Sequence, residues 1–234
     1  MPDQYVARSS VRGLLGVLYD IHGNLPALEA VLADCPAERF LLGGDYAVAG
    51  AWPRETLERL DELDATWIRG NADRWLVDSH DAPEAALPLI ETCRSTLDDE
   101  LVRRLVELPE TASIDGALYC HASPGSDMHA FAPEGDQSHD AELLGATDAR
   151  RVVFGHIHIQ FERAGAGGVE LVNPGSVGTP WDGDRRAAYA VVHDDDRVEL
   201  RRVEYDWQAV AQAVRERVGD LPARRIEQAS FDPT

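Results

Sequence analysis

Six times along this 234-residue chain, a short apolar run stops at an aspartate, asparagine or histidine, or at a glycine just before one. The stops are Asp20-Ile21-His22-Gly23-Asn24, Gly44-Asp45, Gly70-Asn71, His121, Gly155-His156-Ile157-His158 and Asn173-Pro174-Gly175-Ser176. Short apolar runs bounded by turn residues are the mark of buried strands. Strands that each deliver a polar side chain at the carboxyl end fit an α/β sheet, where loops converge on a rigid scaffold.

The pattern between the stops supports this. Residues 14–19 predict a buried strand, and Asp20 follows it directly. Gly23 permits a tight turn, Asn24 is a good helix cap, and Leu25, Leu28, Val31 and Leu32 recur at helical spacing to about residue 33. A second strand, 40–42, leads into Gly43-Gly44-Asp45, and Pro53 opens a helix with Leu57, Leu60 and Leu63 on one face. A third strand, 66–68, ends at Arg69-Gly70-Asn71 before a helical turn over 72–77. Residues 81–108 read as helix broken by Pro83 and Pro88, whereas 117–120 and 151–154 read as strands stopping at His121 and Gly155-His156. The rest is β-rich (159–163, 169–172, 187–192 and 198–203), with short loops that imply antiparallel pairing, then a helix over 207–218. Residues 1–221 are expected to form one domain, 222–234 a surface tail, and the loop-like 128–139 a cover over the site.

Charge narrows the partners. Acidic residues number 42 against 22 basic ones, all arginine, for a net charge of −20. Binding a long nucleic acid needs a basic stripe that releases counterions, and none is visible, so a long nucleic acid is not an expected partner. No apolar run approaches the roughly 20 residues of a membrane span, and residues 1–12 lack the apolar core of a secretory signal. Cys35, Cys93 and Cys120 are odd in number and widely spaced, unlike a zinc knuckle or a disulfide framework. Reduced thiols and a cytoplasmic location are expected.

Asp20 and His22 are two residues apart where a strand ends, a spacing that turns both to one face, and His156 and His158 repeat it after Gly155. Each motif alone is an ordinary polar turn; their conjunction supplies nitrogen and oxygen ligands for two metal ions. Four histidines, two aspartates and an asparagine without a thiolate suit two divalent ions, manganese first among them, with iron, zinc, nickel or cobalt also competent. Asp45, with two carboxylate oxygens, is the best bridge. A paired-metal site generates hydroxide at neutral pH and clamps phosphate, which points to hydrolysis.

From Asp20 to Gly178 these motifs resemble those of the calcineurin-like metallophosphoesterases. The runs Tyr19-Asp20-Ile21-His22-Gly23-Asn24-Leu25-Pro26-Ala27-Leu28 and Asn173-Pro174-Gly175-Ser176-Val177-Gly178 look like its small prokaryotic phosphodiesterase branch. The resemblance implies a four-layer α/β/β/α sandwich of two mixed sheets flanked by helices, with metals at the strand ends. It assigns Asp20, His22 and His158 to one metal, and Asn71, His121 and His156 to the other, with Asp45 between them. Asp20, Asp45, Asn71 and His121 then form the catalytic set, and a metal-activated hydroxide attacks phosphorus. One position departs: many members carry histidine directly after the motif's asparagine, where this chain has Ala72.

Asp73, Arg74 and His80 lie near that gap and either contribute to the site or serve the surface and helix cap. Arg185 and Arg186 are candidates for phosphate contacts against the plainer reading of a solvated loop, Asn173 and Ser176 are expected to shape a turn, and His129 and His139 to be exposed. The function expected is a metal-dependent phosphodiesterase of small phosphodiesters, cyclic or dinucleotides among them. The alternatives are a phosphomonoesterase or phosphoprotein phosphatase, and a non-catalytic metal-binding scaffold, which Ala72 keeps open.

Overall fold

The structure is a computed structural model that describes residues 5–6 and 13–232. The remaining N-terminal residues of the 1–12 segment, and residues 233–234 of the expected tail, lie outside it. In chain order the elements are β1 (Tyr5–Val6), β2 (Leu15–Leu18), α1 (Leu25–Asp34), β3 (Arg39–Leu42), α2 (Pro53–Leu60), β4 (Asp64–Trp67) and α3 (Asn71–Trp75). Then come α4 (Leu87–Thr96), α5 (Asp99–Val106), β5 (Thr111–Ile114), β6 (Ala117–Cys120), α6 (Gln137–Leu144), β7 (Arg151–Val153), β8 (Phe161–Ala164) and β9 (Glu170–Asn173). The chain closes with β10 (Ala187–Val192), β11 (Val198–Val203), α7 (Trp207–Arg217) and α8 (Asp220–Gln228).

The strands form two mixed sheets, ordered β11-β10-β2-β3-β4 and β1-β5-β6-β7-β9-β8. Each holds a parallel trio, β2-β3-β4 in one and β6-β7-β9 in the other, with antiparallel neighbours beside it. The period-2 alternation of strand side chains sorts them into layers. Val17, Tyr19, Leu41, Tyr119, Val153 and Val172 pack between the sheets. Leu18, Phe40 and Leu42 face the other way, onto Leu28 and Val31 of α1, Leu57 of α2, Ile90 of α4 and Val102 of α5. Leu118, Val152 and Leu171 face Leu144 of α6 and Phe131. The result is the expected four-layer sandwich. The two parallel trios end at Asp20, Asp45, Asn71, His121, His156 and Asn173, so the sandwich brings six strand ends to one region.

Several local expectations hold. The Asn24 side chain accepts from Ala27 N at 3.2 Å and caps α1, and Pro53 is the first residue of α2, where its missing N–H costs no helical bond. Others are corrected. Pro88 does not interrupt a helix but sits in the first turn of α4, and the break falls at residues 97–98, where Asp98 caps α5 by accepting from Leu101 N. The end of the loop-like stretch 128–139 is helical: residues 137–139 open α6, with Asp136 accepting from Ser138 N and His139 N. The expected tail over 222–234 is overturned as far as residue 228. Those residues belong to α8, whose Pro222, Ala223 and Ile226 are buried, the last two against Val210, Ala211 and Val214 of α7. Proline within a first helical turn is tolerated, so Pro222 opens a helix there. Among the described residues no helix is long and apolar enough to cross a membrane, and the three cysteines are buried and unpaired.

Candidate metal centre

Backbone bonds between strand ends fix the site before any side chain is considered. Asp20 N donates to Gly44 O (3.2 Å), His22 N to Asp45 O (2.9 Å), Gly155 N to His121 O (2.8 Å) and Gly178 N to Asp20 O (3.0 Å). Tyr46 Oη lies within hydrogen-bond distance of Leu42 O (2.8 Å) and Ile68 O (2.6 Å), tying the ends of β3 and β4 together. Asn173 donates to Gly155 O and accepts from Gly175 N, while Ser176 Oγ donates to Asp20 O and accepts from Thr179 N. Both therefore hold turns, as expected of them.

All seven candidate ligands meet in this frame. Asp20, Asp45, Asn71, His121 and His158 are buried, as is His22 at 9% exposure, and His156 is partly buried. Five of the seven have left-handed backbone: Asp20 (φ 54°), His22 (49°), Asp45 (58°), His156 (68°) and His158 (55°). Such conformations are costly for residues with a Cβ and persist where the surroundings enforce them, which is common at functional sites. Close backbone approach adds to this: a Cβ at Gly70 would overlap the Asp45 carboxylate, and one at Gly155 would lie 2.6 Å from Asp20 Oδ2.

The rings are oriented from behind. His22 Nδ1 lies 2.9 Å from Val48 O, His121 Nδ1 2.9 Å from Gly43 O, and His158 Nδ1 2.6 Å from Thr179 O. A carbonyl only accepts, so each Nδ1 carries the proton and each Nε2 turns inward, the arrangement that supports histidine as a metal ligand. His22 Nε2 and His158 Nε2 are 3.2 Å apart, and His158 Nε2 is 3.6 Å from Asp20 Oδ1. That carboxylate oxygen is buried with no hydrogen-bond donor, while Asp20 Oδ2 accepts from His156 N at 2.9 Å. On the other side the Asn71 amide end lies 2.9 Å from both His121 Nε2 and His156 Nδ1. Turned with nitrogen inward, it donates to both rings; turned with oxygen inward, it joins them as a third acceptor, the orientation a cation selects.

Asp45 faces both groups. Its Oδ2 is 3.8 Å from His22 Nε2 and its Oδ1 3.5 Å from His121 Nε2, with Oδ1 also accepting from Ala72 N at 2.8 Å. Ligand atoms of Asp20, His22 and His158 lie within 4.8 Å of one another, as do those of Asp20, Asp45 and His121. Inward lone pairs and an orphaned buried carboxylate oxygen repel one another unless positive charge lies among them. The donor set therefore fits divalent cations.

Electrostatics agree. Burial drives His156 down to about 4, helped by the His121 charge, and pushes His22 and His158 below the ordinary histidine range. These rings are neutral ligands at physiological pH. Burial also disfavours charge on His121, but Asp45 and Asp20 overcome it and hold a proton there up to about 10. Burial raises Asp20 well above the usual carboxylate range, against the pull of His121, whereas the histidines around Asp45 outweigh its burial and hold it low. A proton on His121 thus occupies a place that a metal would take.

Residues near the gap at Ala72 divide. Asp73 is fully buried and accepts from Asp45 N (2.9 Å), Tyr46 N (3.2 Å) and Gly70 N (2.9 Å), so it positions the Asp45 loop. Arg74 pairs with Asp127 (2.7 Å) and Asp81 (2.9 Å), fastening α3 to two loops, and His80 is exposed beside Asp78. Arg186 pairs with Asp184 and Arg185 lies over the Trp207 ring; both are exposed, and His129 and His139 are exposed as well. Sequence reasoning missed Trp181, Arg225 and Phe231, which line a cavity beside the ligands together with Met128 of the expected covering loop. Arg225 and Phe231 carry no local motif and fall in the stretch read as tail.

The model of the calcineurin-like phosphoesterase superfamily domain matches residues 14–197. The chain belongs to this superfamily. It is similar to a metallophosphoesterase from Sphaerobacter thermophilus, 26% identical with a TM-score of 0.78, over 92% of this chain and 99% of that one. A hypothetical protein from Pyrococcus horikoshii shares the fold at 20% identity and a TM-score of 0.80, over 91% and 97%. An uncharacterised protein of Methanocaldococcus jannaschii is 28% identical over 222 residues, 84% of this chain and 89% of that protein. Membership makes the chain a member of a family of phosphoric-ester hydrolases, and its Asp and His groups are those that could hold the metal such enzymes use.

Proposed function

We propose that this calcineurin-like phosphoesterase is a metal-dependent phosphodiesterase acting on small phosphodiesters. The observation that carries the reading is the convergence of inward-facing nitrogen and oxygen ligand atoms around Asp45, directly beside a cavity of about 500 Å³ walled mainly by apolar side chains. Asp20, His22 and His158 would hold one divalent ion, and Asn71, His121 and His156 another, with one Asp45 oxygen toward each. Bound there, such ions would lower the pKa of water and take up charge developing on the phosphate oxygens.

The chain's own residues do the rest. Carbonyls of Gly43, Val48 and Thr179 hold three ring tautomers, and the Ala72 and His156 N–H groups hold the Asp45 and Asp20 carboxylates. This preorganisation avoids rearrangement during the reaction. Hydrolysis forms one P–O bond from water and breaks the P–O bond to an alcohol, which takes up a proton. With alanine at position 72 no imidazole stands there to supply that proton, a lack that favours leaving groups of low basicity. The apolar cavity accommodates the second ester substituent that distinguishes a diester from a monoester.

The test is hydrolysis of bis(p-nitrophenyl) phosphate beside p-nitrophenyl phosphate, with Mn²⁺, Ni²⁺, Zn²⁺ or Mg²⁺ restored singly to metal-stripped protein. Metal-dependent preference for the diester is expected. Preference for the monoester would place the protein among phosphomonoesterases, and silence with every ion despite bound metal would favour the scaffold reading.

A further inference from the structure

The cavity beside the centre is closed by the part of the chain that reads as a tail. On one side it is bounded by the metal-ligand set, on another by apolar residues including Val48, Ala72, Trp75, Leu89 and Met128, and its remaining wall holds Trp181, Arg225 and Phe231. Its volume of about 500 Å³ falls in the roughly 300–1,000 Å³ range of small-molecule sites. Trp181 stacks on His158 with ring centroids 3.6 Å apart and planes 13° from parallel, and Phe231 meets Trp181 edge-on at 4.7 Å. The wall is thus built directly onto a candidate metal ligand.

Among the described residues, Arg225 is the one arginine lining the cavity. Its guanidinium lies 4.4 Å from the Phe231 ring centroid and 5.6 Å from that of Trp181. Its Nε donates to Phe231 O at 2.9 Å, and no carboxylate of the described residues lies within ion-pair distance. Asp232 acts on it only through space. Several part-buried arginines of this acidic chain are ion-paired, Arg202 with Asp182, Arg74 with Asp127 and Arg163 with Asp140, whereas Arg185 and Arg217, which like Arg225 meet an aromatic ring and a backbone carbonyl, are exposed. A half-buried guanidinium without a counter-charge is costly, and the two rings offset only part of that cost. A planar fork of free N–H donors matches a phosphate or carboxylate.

We propose that Arg225, Trp181 and Phe231 form a second anchoring subsite, so that the preferred substrates are small phosphodiesters carrying both an aromatic ring and a second anionic group. The reacting phosphate sits at the metal centre, the second anion at Arg225, and the ring against Trp181, Phe231 and the apolar wall. This substrate class rests on the hydrolytic reading above and sharpens it. A dinucleotide with a 5′-phosphate has this chemistry; the same dinucleotide without that phosphate lacks the second anion.

The test compares 5′-phosphorylated and unphosphorylated diadenosine dinucleotide on the metal-loaded protein. At least a tenfold lower KM for the phosphorylated form is expected, the size of one charge-assisted hydrogen bond. Arg225→Gln removes that preference through KM, Arg225→Lys, which keeps the charge without the fork, keeps only part of it, and Phe231→Ala, at a 48% exposed position that does not threaten folding, raises KM for both. Arg186→Gln, an equal loss of charge on the surface, keeps the preference. Equal KM values in the unmodified protein, or a preference that survives Arg225→Gln, overturn the subsite. Calorimetric binding of the two dinucleotides to metal-free protein separates this from the hydrolytic reading. Should no diester be turned over, tighter binding of the phosphorylated form that is lost in Arg225→Gln still supports the subsite, and equal or absent binding overturns it.

Discussion

Replacing Gly70 with alanine perturbs the centre without removing any ligand. A Cβ there would overlap Asp45 Oδ1 and lie 2.6 Å from Asp45 N, whereas ordinary contact begins at 3.4 Å. The Asp45 loop must therefore move by at least about 0.8 Å against the hydrogen bonds that Asp45 N and Tyr46 N donate to Asp73. Overpacking of this kind costs about 1–3 kcal/mol, or roughly 2–12 °C in Tm for a chain of this size. Displacement of a reacting group by about 1 Å costs on the order of a hundredfold in rate. Metal added at about 100 times Kd stabilises a protein by about 2.7 kcal/mol; a hundredfold weaker site leaves only about 0.4 kcal/mol. The assay is thermal unfolding of Gly70→Ala with and without Mn²⁺, beside diester turnover. A small fall in Tm without metal, near loss of the metal-induced rise, and turnover down about a hundredfold are expected. A Gly70→Ala variant with an unchanged metal-induced rise and unchanged turnover would show that Asp45 is not held against Gly70 as described, or does not serve the metals.

Asp45→Asn should abolish diester hydrolysis while leaving the circular dichroism spectrum intact, since it removes a carboxylate charge that faces His22 with one oxygen and His121 with the other; wild-type turnover would contradict the role of Asp45. Metal affinity should rise by about tenfold per pH unit between pH 6 and 8, with about one proton released on binding, because His121 holds a proton up to about 10 that metal must displace. Calorimetry in buffers of different ionisation enthalpy reads the proton count, and pH-independent affinity would contradict that competition. Ile226→Ala should cost about 2–5 kcal/mol, visible as a lower Tm, because Ile226 is buried at 3% exposure between α8 and α7. An unchanged Tm would return α8 to the status of a tail.

The candidate ligands were legible in the sequence because each follows an apolar strand core, and strand, turn and cap chemistry are local. Asn24 and Pro53 announce their helices in the same way. The left-handed backbone of Asp20, His22, Asp45, His156 and His158 was not legible, because no glycine marks it; contacts between strands enforce it. Asp73 does cap its helix, accepting from Gly70 N at the start of α3, but its hold on Asp45 N and Tyr46 N was not legible, because those donors lie at a different strand end. α8 was hidden by Pro222, which has the same letter whether it opens a helix or breaks one. The Trp181–Phe231–Arg225 wall joins segments about 50 residues apart with no periodicity between them, so only tertiary packing reveals it.

The most direct test of a paired-ion centre around Asp45 is a titration of metal-stripped protein with Mn²⁺, following bound metal and bis(p-nitrophenyl) phosphate turnover in the same samples. Turnover should rise as the second ion binds and reach its plateau at about two ions per chain, the capacity of the two ligand groups. Full turnover without metal, or no turnover with both positions filled, would contradict it.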